Sequence, residues 1–223
     1  MRVALSWSGG KDACFSVHKL KEQGFEVVCL LTTIPKELNV TFGHGEKKEA
    51  IEAQGKALDI PIEWIDCTFS TYTEDFVSKV KKVKEQYDIK AIAFGDLYLE
   101  EHREWGEQVA LKAELQALYP LWMKESTAPI ALQQFVQSGY RAKVTRIMQQ
   151  HFSQDWAGRE VDQEFYNDII KLPICPMGEK GEYHTFVYDG PLFKQKVTFS
   201  KGTLEQLEST WRLHLNNIAL EQR

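Results

Sequence analysis

The first half of the chain alternates between short β-branched apolar runs and longer amphipathic segments, and this alternation restricts the fold more than any other feature. Residues 27–34 form a continuous run of this kind, which is typical of a strand buried on both faces. Further strands are predicted at 3–6, 61–67 and 91–97, and helices at 12–23, 46–58, 73–87 and 100–118. Strands and helices at this spacing predict an α/β fold with a doubly wound, mostly parallel, Rossmann-like sheet.

Beyond residue 120 the alternation becomes irregular, which predicts a smaller α+β C-terminal domain. We place the boundary so that residues 1–119 form the first domain and residues 120–223 the second. Within the second we predict a helix at 126–138, a strand at 140–147 and an amphipathic helix at 203–220. The apolar face of that last helix packs internally or against a second copy of the chain, which leaves a homodimer open.

Composition excludes several classes of protein. The net charge of −5 and the pI of about 5.7 lack the basic excess of a general nucleic-acid surface. The four cysteines include no C-x-x-C pair, so a zinc ribbon or a closely spaced iron–sulfur site is not expected, and buried thiols in a reducing compartment are. The apolar stretch at the N-terminus is too short for a signal peptide, and no later segment reaches the length of a membrane span. We therefore expect a soluble cytoplasmic protein with no membrane partner.

Two glycines and a lysine follow the first predicted strand, in the string Ser-Trp-Ser-Gly-Gly-Lys-Asp from Ser6 to Asp12. Gly9 and Gly10 allow the backbone to approach a ligand closely, and the next helix begins at once, with unpaired N–H groups and the positive end of its dipole. Lys11 adds a charge suited to phosphate. The spacing is neither a Walker A loop nor a dinucleotide fingerprint. An anion-binding loop is favoured over a plain turn, because the loop joins a buried strand directly to a helix.

A second motif lies at residues 178–193, with the sequence GEKGEYHTFVYDGPLF. It places Glu179, Glu182 and His184 within six positions on a glycine-rich stretch. Carboxylates and an imidazole so arranged can hold Mg²⁺, accept protons from an incoming amine or orient an acyl group. The alternative is a solvated acidic turn ahead of an edge strand.

Together the two motifs resemble those of the diphthine–ammonia ligase family. Residues 6–12 resemble the PP-loop of ATP pyrophosphatases, in the adenine nucleotide alpha hydrolase-like superfamily, and residues 178–193 resemble the family's C-terminal motif. The resemblance covers nearly the whole chain and includes Gly95, Arg103, Glu107 and the string Pro120-Leu121-Trp122. The chain is similar to the short bacterial-type members, since His184 stands where eukaryotic and archaeal members usually carry an acidic residue.

The resemblance implies an ATP-dependent ligase that adenylates a substrate carboxylate and amidates it with ammonia, releasing AMP and pyrophosphate. ATP, Mg²⁺, ammonia and an unidentified carboxylate, on a small molecule or a protein side chain, are the implied ligands. Two alternatives stay open. One is a PP-loop tRNA-modifying enzyme, against which the acidic pI and the absence of paired cysteines argue. The other is a module that binds ATP or AMP without turnover.

The resemblance also implies roles for individual residues. Ser8 and residues 9–11 are expected to bind the phosphates of ATP, while Asp12 binds Mg²⁺ or caps the helix. Arg103 reaches the phosphates or the acyl carboxylate, or else forms an i,i+4 ion pair with Glu107. His44 folds over the nucleotide or is a surface histidine. The expected catalytic residues are Lys11, Asp12, Arg103, Glu179, Glu182 and His184, and the expected ATP-binding residues are Ser6, Ser8, Gly9, Gly10, Lys11, Asp12, Thr32, Thr33, His44, Gly95 and Asp96.

Overall fold

The computed structural model describes residues 1–223 and contains nine strands and six α-helices. In chain order the elements are β1 (Arg2–Ser6), α1 (Lys11–Glu22), β2 (Glu26–Pro35), α2 (Lys48–Leu58), β3 (Ile62–Cys67), α3 (Tyr72–Tyr87), β4 (Ala91–Ala93), α4 (Glu100–Lys112), β5 (Gln116–Leu118), α5 (Ala128–Gln137), β6 (Arg141–Met148), α6 (Gln163–Ile169), β7 (Tyr183–Asp189), β8 (Gln195–Gln206) and β9 (Thr210–Gln222). None of the helices has both the length and the apolar character needed to cross a membrane.

The first sheet confirms the predicted α/β class. Its five strands are all parallel and lie in the order β3-β2-β1-β4-β5. This order reverses between β1 and β4, and in open parallel sheets ligands bind at such a switch point, outside the carboxyl ends of the strands. The loops that follow β1 and β4 both begin there.

Apolar side chains from α3 and α4 pack on this sheet. Phe76, Val80 and Val109 are buried in one cluster with residues of β1, β2 and β4. The cluster includes Cys29, whose thiol pKa is raised to about 12 mainly by burial. All four cysteines are buried and free, which confirms the prediction of buried thiols.

The predicted helix at 100–118 is too long. The helix α4 ends at Lys112, Glu114 takes a positive φ of 54°, and the chain then forms β5. A residue in the left-handed region cannot continue a right-handed helix. The apolar residues after it therefore add a fifth strand to the sheet.

The second sheet is antiparallel, in the order β7-β6-β9-β8, and it shows that the predicted helix at 203–220 is wrong. Those residues belong to the β8–β9 hairpin, in which Leu204 pairs with Leu213. Along β9 the buried residues Leu213 and Leu215 alternate with more exposed neighbours, the period of a strand with one covered face. The apolar helix face that left a homodimer open does not exist in the structure.

The chain forms two compact units, and neither is a continuous stretch. The first comprises residues 1–8, 12–43 and 60–122, and the second residues 9–11, 44–59 and 123–223. The helix α2 belongs to the second unit and packs against β8 and β9. The backbone N–H of Lys194 donates to the Ala57 carbonyl at 2.6 Å, and Lys47 Nζ donates to Asn216 Oδ1 at 2.6 Å. The boundary at residues 119 and 120 stays a prediction.

Candidate functional site

In the second unit, the Gly-Gly-Lys segment is hydrogen-bonded to the strand that carries the second motif. The Gly9 carbonyl accepts from the backbone N–H of Val187 at 3.0 Å, and the backbone N–H of Lys11 donates to Thr185 Oγ1 at 3.0 Å. The predicted phosphate loop and the second motif are separated by more than 160 residues in sequence, as the 174-residue spacing of Lys11 and Thr185 illustrates. They nevertheless form one site.

The amide of Gln54, on α2, fixes the same segment. Its Nε2 atom donates to the Gly9 carbonyl at 2.8 Å and to the Val187 carbonyl at 2.7 Å. Gly9 has a φ of +83°, and a Cβ there would lie 2.7 Å from Ile51 Cδ1. Both the backbone conformation and the close approach of α2 therefore require glycine at this position.

The Lys11 side chain is buried, with only 2% of its surface exposed. Its ammonium group donates to the Met177 carbonyl at 2.5 Å and lies 4.7 Å from the centre of the Tyr183 ring. The Tyr183 hydroxyl donates in turn to the Pro176 carbonyl at 2.7 Å. The charge of Lys11 is thus placed against the glycine-rich stretch of the second motif.

Two histidines face each other beside this lysine. The ring centres of His44 and His184 are 4.4 Å apart, and a Cβ on Gly10 would lie only 2.5 Å from His44 Cε1. Burial, followed by the charge of Lys11, lowers the pKa of His44 to about 4. Burial lowers the pKa of His184 well below its usual range, with His44 and Arg146 adding to the effect. Both rings are therefore neutral at neutral pH.

Arginines continue this positive region across the second sheet. Arg146 on β6 stands opposite His184 on one side and opposite Arg212 on the other. The Nε atom of Arg146 donates to Thr210 Oγ1 at 3.0 Å, while Arg212 forms an ion pair with Glu205 at 2.6 Å. Arg146 and Lys11 therefore both contribute positive charge near the histidines.

The structure gives Glu182 a positioning role in the glycine-rich stretch. It is buried, with 4% of its surface exposed, and its two carboxylate oxygens accept from the backbone N–H groups of Cys175 (3.2 Å) and Lys180 (2.9 Å). Both oxygens accept from backbone donors, so this carboxylate holds the loop, and its catalytic role stays a prediction. Glu179 is half-buried on the same loop.

Glu182 also lines a pocket of about 670 Å³ in the second unit. Apolar side chains form much of its wall, and a few polar groups converge on it, which is the usual character of a small-molecule site. Its lining includes Pro129, Met148, Gln150, Ile174, Pro176, Lys180 and Glu182.

In the first unit, the structure brings together candidates from three strand ends. Thr32 Oγ1, on β2, donates to the Trp7 carbonyl after β1 at 3.0 Å, and Thr33 follows on the same strand. A Cβ on Gly95, just after β4, would lie 3.3 Å from the backbone of Asp12 and Ala13 at the start of α1. Ser6 is the last residue of β1, and Ser8 lies in the loop that follows.

Two further candidates of the first unit, Arg103 on α4 and Asp96 in the loop before it, contact neighbouring polar side chains. Arg103 Nε lies 2.9 Å from Glu107 Oε1, so the i,i+4 pair is formed, and its guanidinium lies 5.1 Å from the Trp122 ring. Asp96 lies 2.9 Å from the imidazole of His102. Their roles toward phosphate, ribose or metal stay predictions.

Sequence reasoning missed three residues that build the site. Gln54 was visible as a polar residue on the apolar face of the predicted helix, and Thr185 lies inside the second motif. Neither position carries a chemical signature of its own. Arg146 had no signal, because only strand pairing brings it beside His184.

The sequence model described as "Diphthamide synthase N-terminal domain" matches residues 1–117, and the one described as "Diphthamide synthase C-terminal domain" matches residues 128–222. A protein of Bos taurus named diphthine–ammonia ligase is 29% identical, over 88% of this chain and 82% of its own. Its namesake in Homo sapiens is 28% identical over the same shares, and the one in Schizosaccharomyces pombe is 26% identical over 90% of this chain and 36% of its own.

Among solved structures, one described as a predicted subunit of tRNA methyltransferase from Methanocaldococcus jannaschii covers 84% of this chain and 96% of its own. Its TM-score of 0.45 and its identity of 15% are too low to support a conclusion. The two domain matches together span most of the sequence. The chain therefore belongs to the diphthamide synthase family.

Proposed function

We propose that this chain is an ATP-dependent ligase that adenylates a substrate carboxylate and amidates it with ammonia, releasing AMP and pyrophosphate. The observation that carries the proposal is the pair of hydrogen bonds between residues 9–11 and β7, one to the Gly9 carbonyl and one to the Thr185 hydroxyl, which join the predicted phosphate loop to the predicted acyl motif. Family membership supports the same reaction, since the matched relatives are named diphthine–ammonia ligases.

The reaction needs activation because a carboxylate oxygen is a poor leaving group at neutral pH. In the first step the carboxylate oxygen attacks the α-phosphorus of ATP, and the bond to the β-phosphate oxygen breaks with its electron pair leaving on pyrophosphate. In the second step ammonia attacks the acyl carbon, AMP leaves, and the new amide loses a proton. Such transfer depends on positioning and charge neutralisation more than on protein nucleophiles. Lys11 and Arg146 supply positive charge for the phosphates.

Mg²⁺ is the metal that the family implies, and Asp12 is the residue that we propose would bind it. Asp12 directly follows the phosphate loop, and carboxylate oxygens are the ligands that Mg²⁺ takes in nucleotide sites. When bound, the ion would neutralise phosphate charge. Ser6, Ser8, Thr32, Thr33, Gly95 and Asp96 remain proposed ATP contacts, and Arg103 and Glu179 remain proposed catalytic residues.

The pocket beside Glu182 is our candidate site for the carboxylate substrate. Pro129, Met148 and Ile174 offer an apolar wall for the body of an acyl group, and Gln150 and Lys180 offer polar contacts. Pro176 lines this pocket, and the carbonyl of the next residue, Met177, binds the Lys11 ammonium group. Two adjacent residues just before the second motif thus join the proposed acyl pocket to the proposed phosphate site.

The test is product analysis. The protein is incubated with ATP, MgCl₂, NH₄Cl and a deproteinised metabolite extract as the source of carboxylates, and the nucleotides are separated by chromatography. We expect AMP and pyrophosphate in a one-to-one ratio, abolished in Lys11→Ala and retained in Lys21→Ala, which alters an exposed lysine on the same helix. Release of ADP and phosphate would contradict adenylation, and nucleotide binding with no AMP from any extract would favour the non-catalytic module.

A further inference from the structure

His44 and His184 lie at the predicted phosphate loop, and no acidic group is among the charges that shift the pKa of either ring. The charged groups around the pair are Lys11 at the start of α1 and Arg146 on β6, and both oppose protonation of the two rings. Each imidazole is also the neighbour of the other, at 4.4 Å between ring centres. Two imidazoles and two permanent cations thus interact with one another, and none of the groups that shift the pKa of either ring is an anion.

The hydrogen bonding of His44 is also incomplete. The ring donates one hydrogen bond to the Thr185 backbone, whereas its Nδ1 atom is buried and has no hydrogen-bond partner. The same ring lies against Gly10, where a Cβ would come within 2.5 Å of Cε1 and 3.3 Å of Nδ1. The edge of the ring that carries Cε1 and Nδ1 therefore lies against the glycine that the sequence predicts to bind phosphate.

We propose that His44 and His184 are a proton-accepting pair of the polyphosphate site, and that a bound polyphosphate adds one proton to them. This inference rests on the proposed function and extends it, since it names two residues and a protonation state for the phosphate contact. The imidazolium so formed has two N–H donors, and it binds a phosphate oxygen through the nitrogen that lacks a partner. Arg146 joins Lys11 as the second fixed cation of this site.

The electrostatics favour this change of protonation. A neutral imidazole among cations gains little from a proton, but a polyphosphate carries three or four negative charges to the same place. An opposite charge within about 4–6 Å favours the charged form of a group by about 1–3 pKa units. Several such charges at that distance raise the pKa of one histidine above neutrality. The second ring stays neutral, because two imidazolium ions in contact repel each other.

Calorimetry tests the proton uptake. The probe is α,β-methylene-ATP with MgCl₂, which cannot be cleaved between the α- and β-phosphates, titrated at pH 7.5 in two buffers of different ionisation enthalpy. Because the ligand's own protons cancel in a comparison of variants, linkage predicts that the unaltered protein takes up about one proton more than His44→Gln/His184→Gln. His184→Phe keeps an aromatic ring against His44, and we expect it to retain uptake through His44. His18→Gln, which alters a surface histidine of α1, should match the unaltered protein.

A second measurement follows the rings directly. With ¹³C-labelled histidine, the Cε1–H resonance of His44 should titrate near pH 4 in the free protein, and that of His184 well below the usual range of an imidazole. With the nucleotide bound, one of the two should remain protonated at pH 7. Equal proton uptake in the unaltered protein and the double variant, with both rings neutral in the complex, would overturn the inference and leave the ligase proposal standing. Failure of the unaltered protein to bind the nucleotide would overturn both.

Discussion

At the scale of single residues, the most consequential contact outside the two motifs is that of Gln54. Its amide spans the Gly9 and Val187 carbonyls, and the side chain is fully buried. Replacement by leucine keeps the volume but removes the donor, and we expect Gln54→Leu to lower the free energy of unfolding by about 2–3 kcal/mol. Urea unfolding measures this, with Gln23→Leu, at an exposed position, as the control. A loss equal to that of the control would contradict the bridging role.

Glu46 gives the stability a pH dependence of known sign. Burial raises the pKa of Glu46 to about 7, against the opposing hydrogen bond that Thr145 donates at 2.6 Å. In the unfolded chain a glutamate titrates near 4.3, so the folded state binds more protons between these values. The stabilisation is complete below about pH 4 and is lost as the pH rises through 7, to a total of ~3–4 kcal/mol.

We therefore expect Glu46→Gln to match the unaltered protein near pH 4 and to exceed its free energy of unfolding at pH 8. Other titrating groups, including the two histidines, contribute equally to both proteins and cancel in the difference. Glu49→Gln, at an exposed position of α2, should show no such pH-dependent gain. A difference that does not change between pH 4 and pH 8 would contradict the raised pKa.

Residues of the candidate site could be predicted from sequence where they are adjacent in the chain and have side chains suited to the same ligand. Gly9, Gly10 and Lys11 stand consecutively between a buried strand and a helix, and that position predicts an anion-binding loop. Arg146 and Gln54 reach the same place only through strand register and helix packing, which are properties of the folded chain. The structure also shows that Glu182 binds backbone N–H groups, a use of a carboxylate that its spacing in the motif does not indicate.

At the scale of elements, the end of α4 stores a small strain. Glu114 has a φ of 54° and stops the helix, and its exposed carboxylate forms an ion pair with Lys84 at 3.0 Å. The left-handed conformation costs a non-glycine residue about 1–2 kcal/mol, whereas an exposed ion pair contributes about 0–1 kcal/mol. We expect Glu114→Gly to raise the free energy of unfolding by about 0.5–1 kcal/mol in urea titrations.

Glu114→Ala is the matched control, because it removes the same ion pair without relieving the backbone. It should leave stability unchanged or slightly lower. If the alanine variant gained as much as the glycine variant, the backbone argument would fail and the carboxylate itself would be the unfavourable group.

Element types were predictable where a segment had a single period. The continuous β-branched run at residues 27–34 is typical of a buried strand, and it forms β2. Leu204, Leu207, Trp211 and Leu215, in contrast, repeat at spacings of three and four and satisfy a helix, yet Leu213 and Leu215 also satisfy a strand. The cross-strand pairing of Leu204 with Leu213 decides between them, and a window of local sequence does not contain that partner.

At the scale of the whole molecule, the division of the chain into two units that are each discontinuous in sequence could not be predicted. The amphipathic face of α2 predicts burial, but it does not say which sheet covers it, and a helix between two strands of one sheet is expected on that sheet. In the structure α2 packs on the antiparallel sheet instead, with Ile51 and Leu58 buried. Sequence neighbours thus belong to different compact units.

This arrangement predicts that residues 120–223 do not fold by themselves. Without α2, the β8–β9 hairpin loses its cover, and the burial of Ile51 and Leu58, worth about 1.5–3 kcal/mol each, is lost with it. We expect that fragment to bind a hydrophobic dye and to lack a cooperative thermal transition. Fusing residues 44–59 to residue 123 through a Gly/Ser linker should restore the transition, whereas fusing residues 72–87, an amphipathic helix of the first unit, should not. Cooperative unfolding of residues 120–223 alone would show that α2 is dispensable to the second sheet, and that the continuous boundary expected from sequence is the one that governs folding.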